Sequence, residues 1–244
     1  MSHSVTSQAP VTETGMEALP LTAFIRGLVH EMNSILTPLV AMPHVLLDEI
    51  RKVAPPESMG AFEEDLDTIR LSGRAAASIL RDLSAMVRPA QRSKSPVQLN
   101  RVIERALSAP PDRRATWPAI GLELSPSAPT VAGDPEALQH LVTNLLFLAF
   151  CAPESVRTPV LRTVCTPNAR IEFEFAGAMV EAAQARELFS PFRIRRAMGL
   201  PAGSGLLLTA VEEIARQHGG NTDVRVSPGK VCLGIVFQDP GGLS

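Results

Sequence analysis

The sequence contains no tyrosine, a single tryptophan and only 4% aromatic residues in all. Proteins that bind single-stranded nucleic acid commonly stack the bases on aromatic side chains, so this composition argues against that class. The net charge of −2 is also too small to attract a polyanion over a broad surface. We therefore expect no nucleic-acid partner.

Cysteines are few, odd in number and far apart, at Cys151, Cys165 and Cys232. Their spacing fits neither a disulfide framework nor a metal site, which predicts reduced thiols and no metal. No uninterrupted apolar run reaches the length of a membrane span. The polar opening residues lack the features of a signal peptide. We expect a cytoplasmic protein with no membrane partner and a disordered tail over residues 1–19.

What the sequence does contain is a heptad pattern over residues 21–50. Its apolar residues are separated alternately by four and three positions: Leu21, Ile25, Leu28, Met32, Ile35, Leu39, Met42 and Leu46. This seam is typical of a helix packed lengthwise on other helices. Pro38 and Pro43 lie inside the pattern and are expected to bend the helix locally.

A second seam of the same kind covers residues 61–88, after a break over residues 53–60 with the sequence VAPPESMG. Two long helices joined by a short turn form an antiparallel hairpin. Two helices alone cannot enclose a core, whereas two hairpins from two copies can. We therefore predict that residues 20–90 form a helical hairpin and that the homodimer contains a four-helix bundle.

The character of the chain changes from about residue 96. The β-rich segments VLRTVCT, ARIEFEFAG and KVCLGIVFQ alternate with helical ones. DPEALQHLVTNLLFLAF is predicted to be an apolar helix with Asp134 as its N-cap, and SGLLLTAVEEIARQHGG a helix closed by glycines. Residues 96–240 are thus predicted to form an α/β domain.

The stretch LVHEMNSILTP places a histidine beside a glutamate. His30 is two residues from each of the seam positions Leu28 and Met32, so in a helix it points away from the seam. A solvent-facing histidine is usually just a solvated side chain. The adjacent carboxylate of Glu31 distinguishes this one, because it can orient the imidazole or accept its proton. His44 has the same heptad position, also predicted to be exposed, but no such neighbour.

Four segments, in order, resemble the sensor histidine kinases over about residues 20–238. LVHEMNSILTPLV and the following helix are similar to the dimerisation and phosphoacceptor region of that family. GDPEALQHLVTNLLFLAF resembles the asparagine box, ELFSPF the phenylalanine box, and GSGLLLTAVEEIARQHGG the glycine-rich lid and the helix that follows it. The resemblance implies that the α/β domain is a sandwich of the histidine-kinase ATPase type. It also implies that His30 is phosphorylated, with Glu31 as acid–base helper and Asn33 and Ser34 available to orient water or the phosphoryl group.

The nucleotide motifs are incomplete. Phe175 stands where the family has its adenine-binding aspartate, and Met179 where it has a second glycine. Leu148 replaces an asparagine that helps to hold magnesium, and Leu207 replaces a third lid glycine. A phenyl ring cannot accept a hydrogen bond and an alkyl chain cannot ligate a metal. The family residues that remain are expected to be vestigial, without bound ATP: Asn144, Gly177, Gly203 and Gly205.

These features together predict a pseudokinase that works as a histidine phosphotransferase at His30, without a cofactor of its own. The expected partners are receiver domains of response regulators and also a hybrid kinase, with magnesium supplied by the receiver. Three alternatives stay open. They are an ATP-dependent kinase with an unusual pocket, a phosphatase acting on a response regulator, and a non-enzymatic scaffold.

Overall fold

A computed structural model describes residues 21–87, 95–108, 117–151, 158–176, 180, 182–198, 200 and 202–238. The predicted tail over residues 1–19 lies outside these ranges, as do Gly177 and Met179. The helices are α1 (Leu21–Val53), α2 (Pro56–Val87), α3 (Leu99–Ser108), α4 (Pro135–Cys151), α5 (Arg193–Met198) and α6 (Leu207–Gln217), with a 3-10 helix over Ala182–Phe189. The strands are β1 (Pro96–Gln98), β2 (Gly121–Glu123), β3 (Thr130–Ala132), β4 (Val160–Val164), β5 (Ala169–Ala176), β6 (Gly220–Ser227) and β7 (Lys230–Phe237).

The first unit is the predicted helical hairpin of α1 and α2. Its turn is only Ala54 and Pro55, shorter than the predicted break over residues 53–60. Pro56 begins α2, because the first position of a helix tolerates a residue without a backbone N–H. α1 continues through Pro38 and Pro43 without interruption.

A narrow strip of side chains forms the interior of the hairpin, where Val29 and Leu36 of α1 pack with Leu80 of α2. Gly73 allows close approach, since a Cβ there would lie 3.0 Å from Val40. Much of the predicted seam instead faces outward. Five of its members are between 42% and 59% exposed in the single chain: Leu28, Ile35, Leu39, Met42 and Leu46.

The second unit is built on a five-stranded mixed sheet with the order β2-β4-β5-β7-β6. β2 and β4 are parallel, and the other neighbours are antiparallel. Side chains from one face of the sheet, such as Ile171 and Phe173, form a continuous core with α3, α4 and α6. This arrangement confirms the predicted α/β sandwich. Among the described residues, no helix has both the length and the apolar character needed to cross a bilayer.

Two predicted helix ends are also present. Asp134 caps α4, with its Oδ1 accepting the backbone N–H of Glu136 at 2.8 Å. α6 is followed by Gly219 at φ +71°, a left-handed conformation that glycine adopts without strain. His218, just before Gly219, connects the end of α6 to the start of α4, because its Nε2 accepts a hydrogen bond from the backbone N–H of Asp134 at 3.0 Å.

Candidate functional site

The first candidate group lies on the solvent side of α1. His30 is exposed, as its spacing predicts, although it follows the buried Val29. Glu31 and Asn33 are exposed as well. The Ser34 hydroxyl donates to the carbonyl oxygen of His30 at 3.1 Å, so the backbone of the helix engages it. The imidazole is thus open to approach by another protein.

His44 differs from its prediction, because it is half-buried. It borders a small pocket near the turn of the hairpin, together with Arg51 and Glu63. The first turns of α2 cover this part of α1, whereas His30 lies farther from the turn. The two histidines share a heptad position but differ in their access to solvent.

The height of His30 along the hairpin follows from the pairing of the helices. Arg51 forms an ion pair with Glu63, with 2.9 Å between Nη2 and Oε1, and Val40 lies against Gly73. Because the helices run in opposite directions, His30 is level with the last turns of α2, around Leu83.

The second candidate group centres on Asn144, the amide retained from the asparagine box. Its Nδ2 donates to Asp82 Oδ1 at 2.9 Å and to the carbonyl oxygen of Leu207 at 3.3 Å. The same oxygen of Asp82 lies 2.9 Å from His140 Nε2. Asp82 belongs to α2 and is 1% exposed, so the hairpin contributes a buried carboxylate to this group of side chains.

Asp82 and His140 are functional candidates that the sequence interpretation missed. The only sign of Asp82 in the sequence is that this acidic residue stands beside Leu83 of the second apolar seam. An acidic residue in such a place is ordinarily expected to face solvent. Its partners are 58 and 62 residues away along the chain, so no local pattern connects them.

The retained glycines of the lid fit against neighbouring groups. Gly203 has φ +94°, and a Cβ on it would lie 2.9 Å from both Cα and the carbonyl oxygen of Ala75 in α2. A Cβ on Gly205 would lie 2.5 Å from the ring of Phe192. Both glycines are therefore required for close packing, and Gly203 brings the lid directly onto the hairpin.

Apolar side chains occupy three positions at which the sequence departs from the nucleotide-binding motifs of the family it resembles. Phe175 is 2% exposed, and its ring centroid lies 5.5 Å from that of Phe173 in a stacked arrangement. Leu148 is fully buried in α4, and Leu207 is buried at the start of α6. These three side chains belong to the main hydrophobic core of the domain.

A cavity of about 420 Å³ remains between α2 and the α/β domain. Asn144 and Gly203 both line it, so the structure brings these two predicted residues together. Leu71, Ala75 and Phe147 give it an apolar wall, and His30 is not among its lining residues. Over the described residues, no cluster of histidine, cysteine, aspartate or glutamate is suited to hold a metal ion.

The marked pKa shifts lie elsewhere, mostly on the outer face of the sheet. Arg162 bridges Glu123 and Glu174, and its hydrogen bond to Glu123 raises the guanidinium pKa. The hydrogen bond from Lys230 lowers the pKa of Glu174. Burial raises the pKa of the Cys232 thiol. The alternating charges join neighbouring strands, which is a structural role.

Comparisons with known proteins point to one group. No family model matches the sequence. The sensor histidine kinase ZraS of Klebsiella oxytoca is 30% identical over 168 residues, which are 67% of this chain and 35% of that protein. This chain therefore spans about a third of the length of that relative.

Solved structures share the fold. Full-length ShkA in complex with AMPPNP has a TM-score of 0.63 at 18% identity, covering 89% of this chain and 46% of that one. The Acinetobacter baumannii histidine kinase AdeS has a TM-score of 0.55 at 18% identity, covering 82% of this chain and 96% of that one.

Proposed function

We propose, from the membership of this chain in the sensor histidine kinase family, that it is a histidine phosphotransferase of a two-component relay. His30 receives a phosphoryl group from one receiver domain and passes it to another. One observation supports this role above all. The chain's own α2 engages the amide and the lid of the kinase-like pocket, while His30 stays open to solvent.

The transfer needs only groups that the chain and a receiver supply. An imidazole nitrogen of His30 attacks the phosphorus of the receiver's aspartyl phosphate. As the new P–N bond forms, the P–O bond to the aspartyl carboxylate breaks, and that carboxylate leaves with the electron pair. Glu31 is suited to orient the ring and to accept its proton. The reverse sequence delivers the phosphoryl group to the next receiver.

Binding of ATP is disfavoured by the residues of the pocket. With Phe175 in place of an aspartate, a buried adenine amine would lack its acceptor, which costs about 1–3 kcal/mol. Leu148 offers no oxygen to magnesium, which prefers oxygen ligands. Asn144 already donates to Asp82 and Leu207. We therefore propose that magnesium comes with the receiver, and that the α/β domain over residues 96–240 supports docking.

The outward seam of the hairpin over residues 20–90 suits a second copy of the chain. Leu28, Ile35, Leu39, Met42 and Leu46 follow one face of α1 at heptad spacing and stay exposed in the single chain. Covering them by the same face of a partner completes a four-helix bundle. In such a dimer each copy presents one His30.

A labelling experiment tests the proposed function. The full chain is incubated with radiolabelled ATP alone and, separately, with a receiver domain labelled on its aspartate. We expect label to reach the chain from the receiver but not from ATP, because the adenine acceptor and the magnesium ligand are absent. Labelling by ATP alone would identify an active kinase and contradict the proposal.

The same assay separates the remaining alternatives. Loss of phosphate from the receiver to water, without labelled chain at any time, would indicate a phosphatase. Receiver binding with neither transfer nor hydrolysis would indicate a scaffold.

A further inference from the structure

We infer that Asp82 is a positioning residue that holds the α/β domain against the hairpin beside His30. It does so by accepting a hydrogen bond from Asn144, the amide of the asparagine box. The effect on receiver docking rests on the proposed phosphotransfer. The fastening itself rests only on the contacts of Asp82, His140 and Asn144, which we name the Asp82 latch.

The latch is a buried and well-satisfied contact. Oδ1 of Asp82 lies 2.9 Å from both the imidazole Nε2 of His140 and the amide Nδ2 of Asn144. His140 and Asn144 are one helical turn apart on α4, so both reach the same oxygen. Removing the carboxylate takes away the acceptor of the part-buried His140 nitrogen and one of the two acceptors of the buried Asn144 amide, which weakens the contact more than losing an exposed pair.

Two further contacts hold the same surfaces together. Nε2 of Gln217, at the end of α6, donates to the carbonyl oxygen of Met86 at 3.2 Å. The lid lies on α2 through Gly203 and Ala75. Helix α2 thus contacts α4, the lid and α6. Contacts from three elements of the α/β domain to one helix favour a single arrangement of the two units.

The position of the latch links it to His30. Asp82 precedes Leu83, and Leu83 packs in the hairpin interior at the level of His30. The fastened α/β domain therefore stands beside the phosphoacceptor on the side of α2. A receiver that docks on α1 around His30 can meet this domain as well. The latch should then control the affinity for the receiver and leave the chemistry at His30 unchanged.

The test compares Asp82→Ala with Asp65→Ala, a control that removes an exposed acid from the same helix. The first readout is hydrogen exchange of the free full-length protein. We expect Asp82→Ala to raise exchange in the lid and in α4 by about tenfold, because the contact that protects them opens. Asp65→Ala should match the parent. Unchanged exchange in Asp82→Ala would overturn the latch, whether or not the chain transfers phosphate.

The second readout is the dependence of phosphotransfer on receiver concentration. Asp82→Ala should raise the half-saturating concentration about tenfold, while the limiting rate stays within about twofold of the parent. A lower limiting rate at an unchanged half-saturating concentration would contradict the positioning role. If Asp82→Ala does not fold, Gln217→Ala loosens the same contact from α6. It should shift both readouts in the same direction, and no shift would overturn the inference.

Discussion

Replacing His30 by glutamine is expected to lower phosphotransfer from a labelled receiver by at least about a thousandfold. Glutamine keeps much of the size and polarity of the side chain but has no nucleophilic nitrogen, so no P–N bond can form. Because His30 is exposed, the fold should be preserved. The measurement is label retained on the chain, together with thermal unfolding to establish that the variant is folded.

His44→Gln is the matched control, since it makes the same chemical change at the same heptad position of the same helix. We expect it to retain transfer within about twofold, because His44 borders a pocket near the hairpin turn and not the open face around His30. Equal activity of the His30→Gln variant and the parent would mean that another group carries the phosphate. The proposed function would then fail at its central residue.

The sequence predicts those helices and strands whose apolar residues recur at a regular spacing along the chain. The apolar seams specify both long helices, and alternation of apolar residues specifies β5, where Ile171, Phe173 and Phe175 all face the core. β6 was missed because its sequence, GNTDVRVS, is polar. Its side chains Asp223 and Arg225 reach across β7 to form ion pairs with Arg170 and Glu172 of β5, an interaction that only the folded sheet reveals.

The candidate site divides in the same way. The exposure of His30 follows from helix geometry. The loss of an adenine acceptor at Phe175 and of a magnesium ligand at Leu148 follows from the chemistry of these side chains. The engagement of Asn144 by Asp82 was not predictable, because it depends on how the two units pack against each other. The sequence predicts that the retained amide is a vestige of nucleotide binding, and in the structure this amide also donates a hydrogen bond to Asp82 of the hairpin.

The outward seam of α1 gives the second large prediction. Replacing Ile35 by glutamate should convert the proposed dimer to a monomer, with the dissociation constant raised at least about a hundredfold. The dimer is symmetric, so two carboxylates would enter its apolar interior without partners, and each costs several kcal/mol unless it is neutralised. Ile35 is 59% exposed in the single chain, which means that the substitution leaves the hairpin itself intact. Sedimentation velocity over a range of concentrations measures the shift.

Val53→Glu provides the comparison, because it adds the same charge to the same helix outside the seam. Val53 ends α1 and is 84% exposed, so we expect the dimer to persist. Dissociation in both variants would mean that added charge alone separates the copies. A dimer that survives Ile35→Glu would require a different face to hold them together. Since the buried cluster around Val29, Leu36 and Leu80 is a narrow strip, the stability of the bundle should depend on the outward seam.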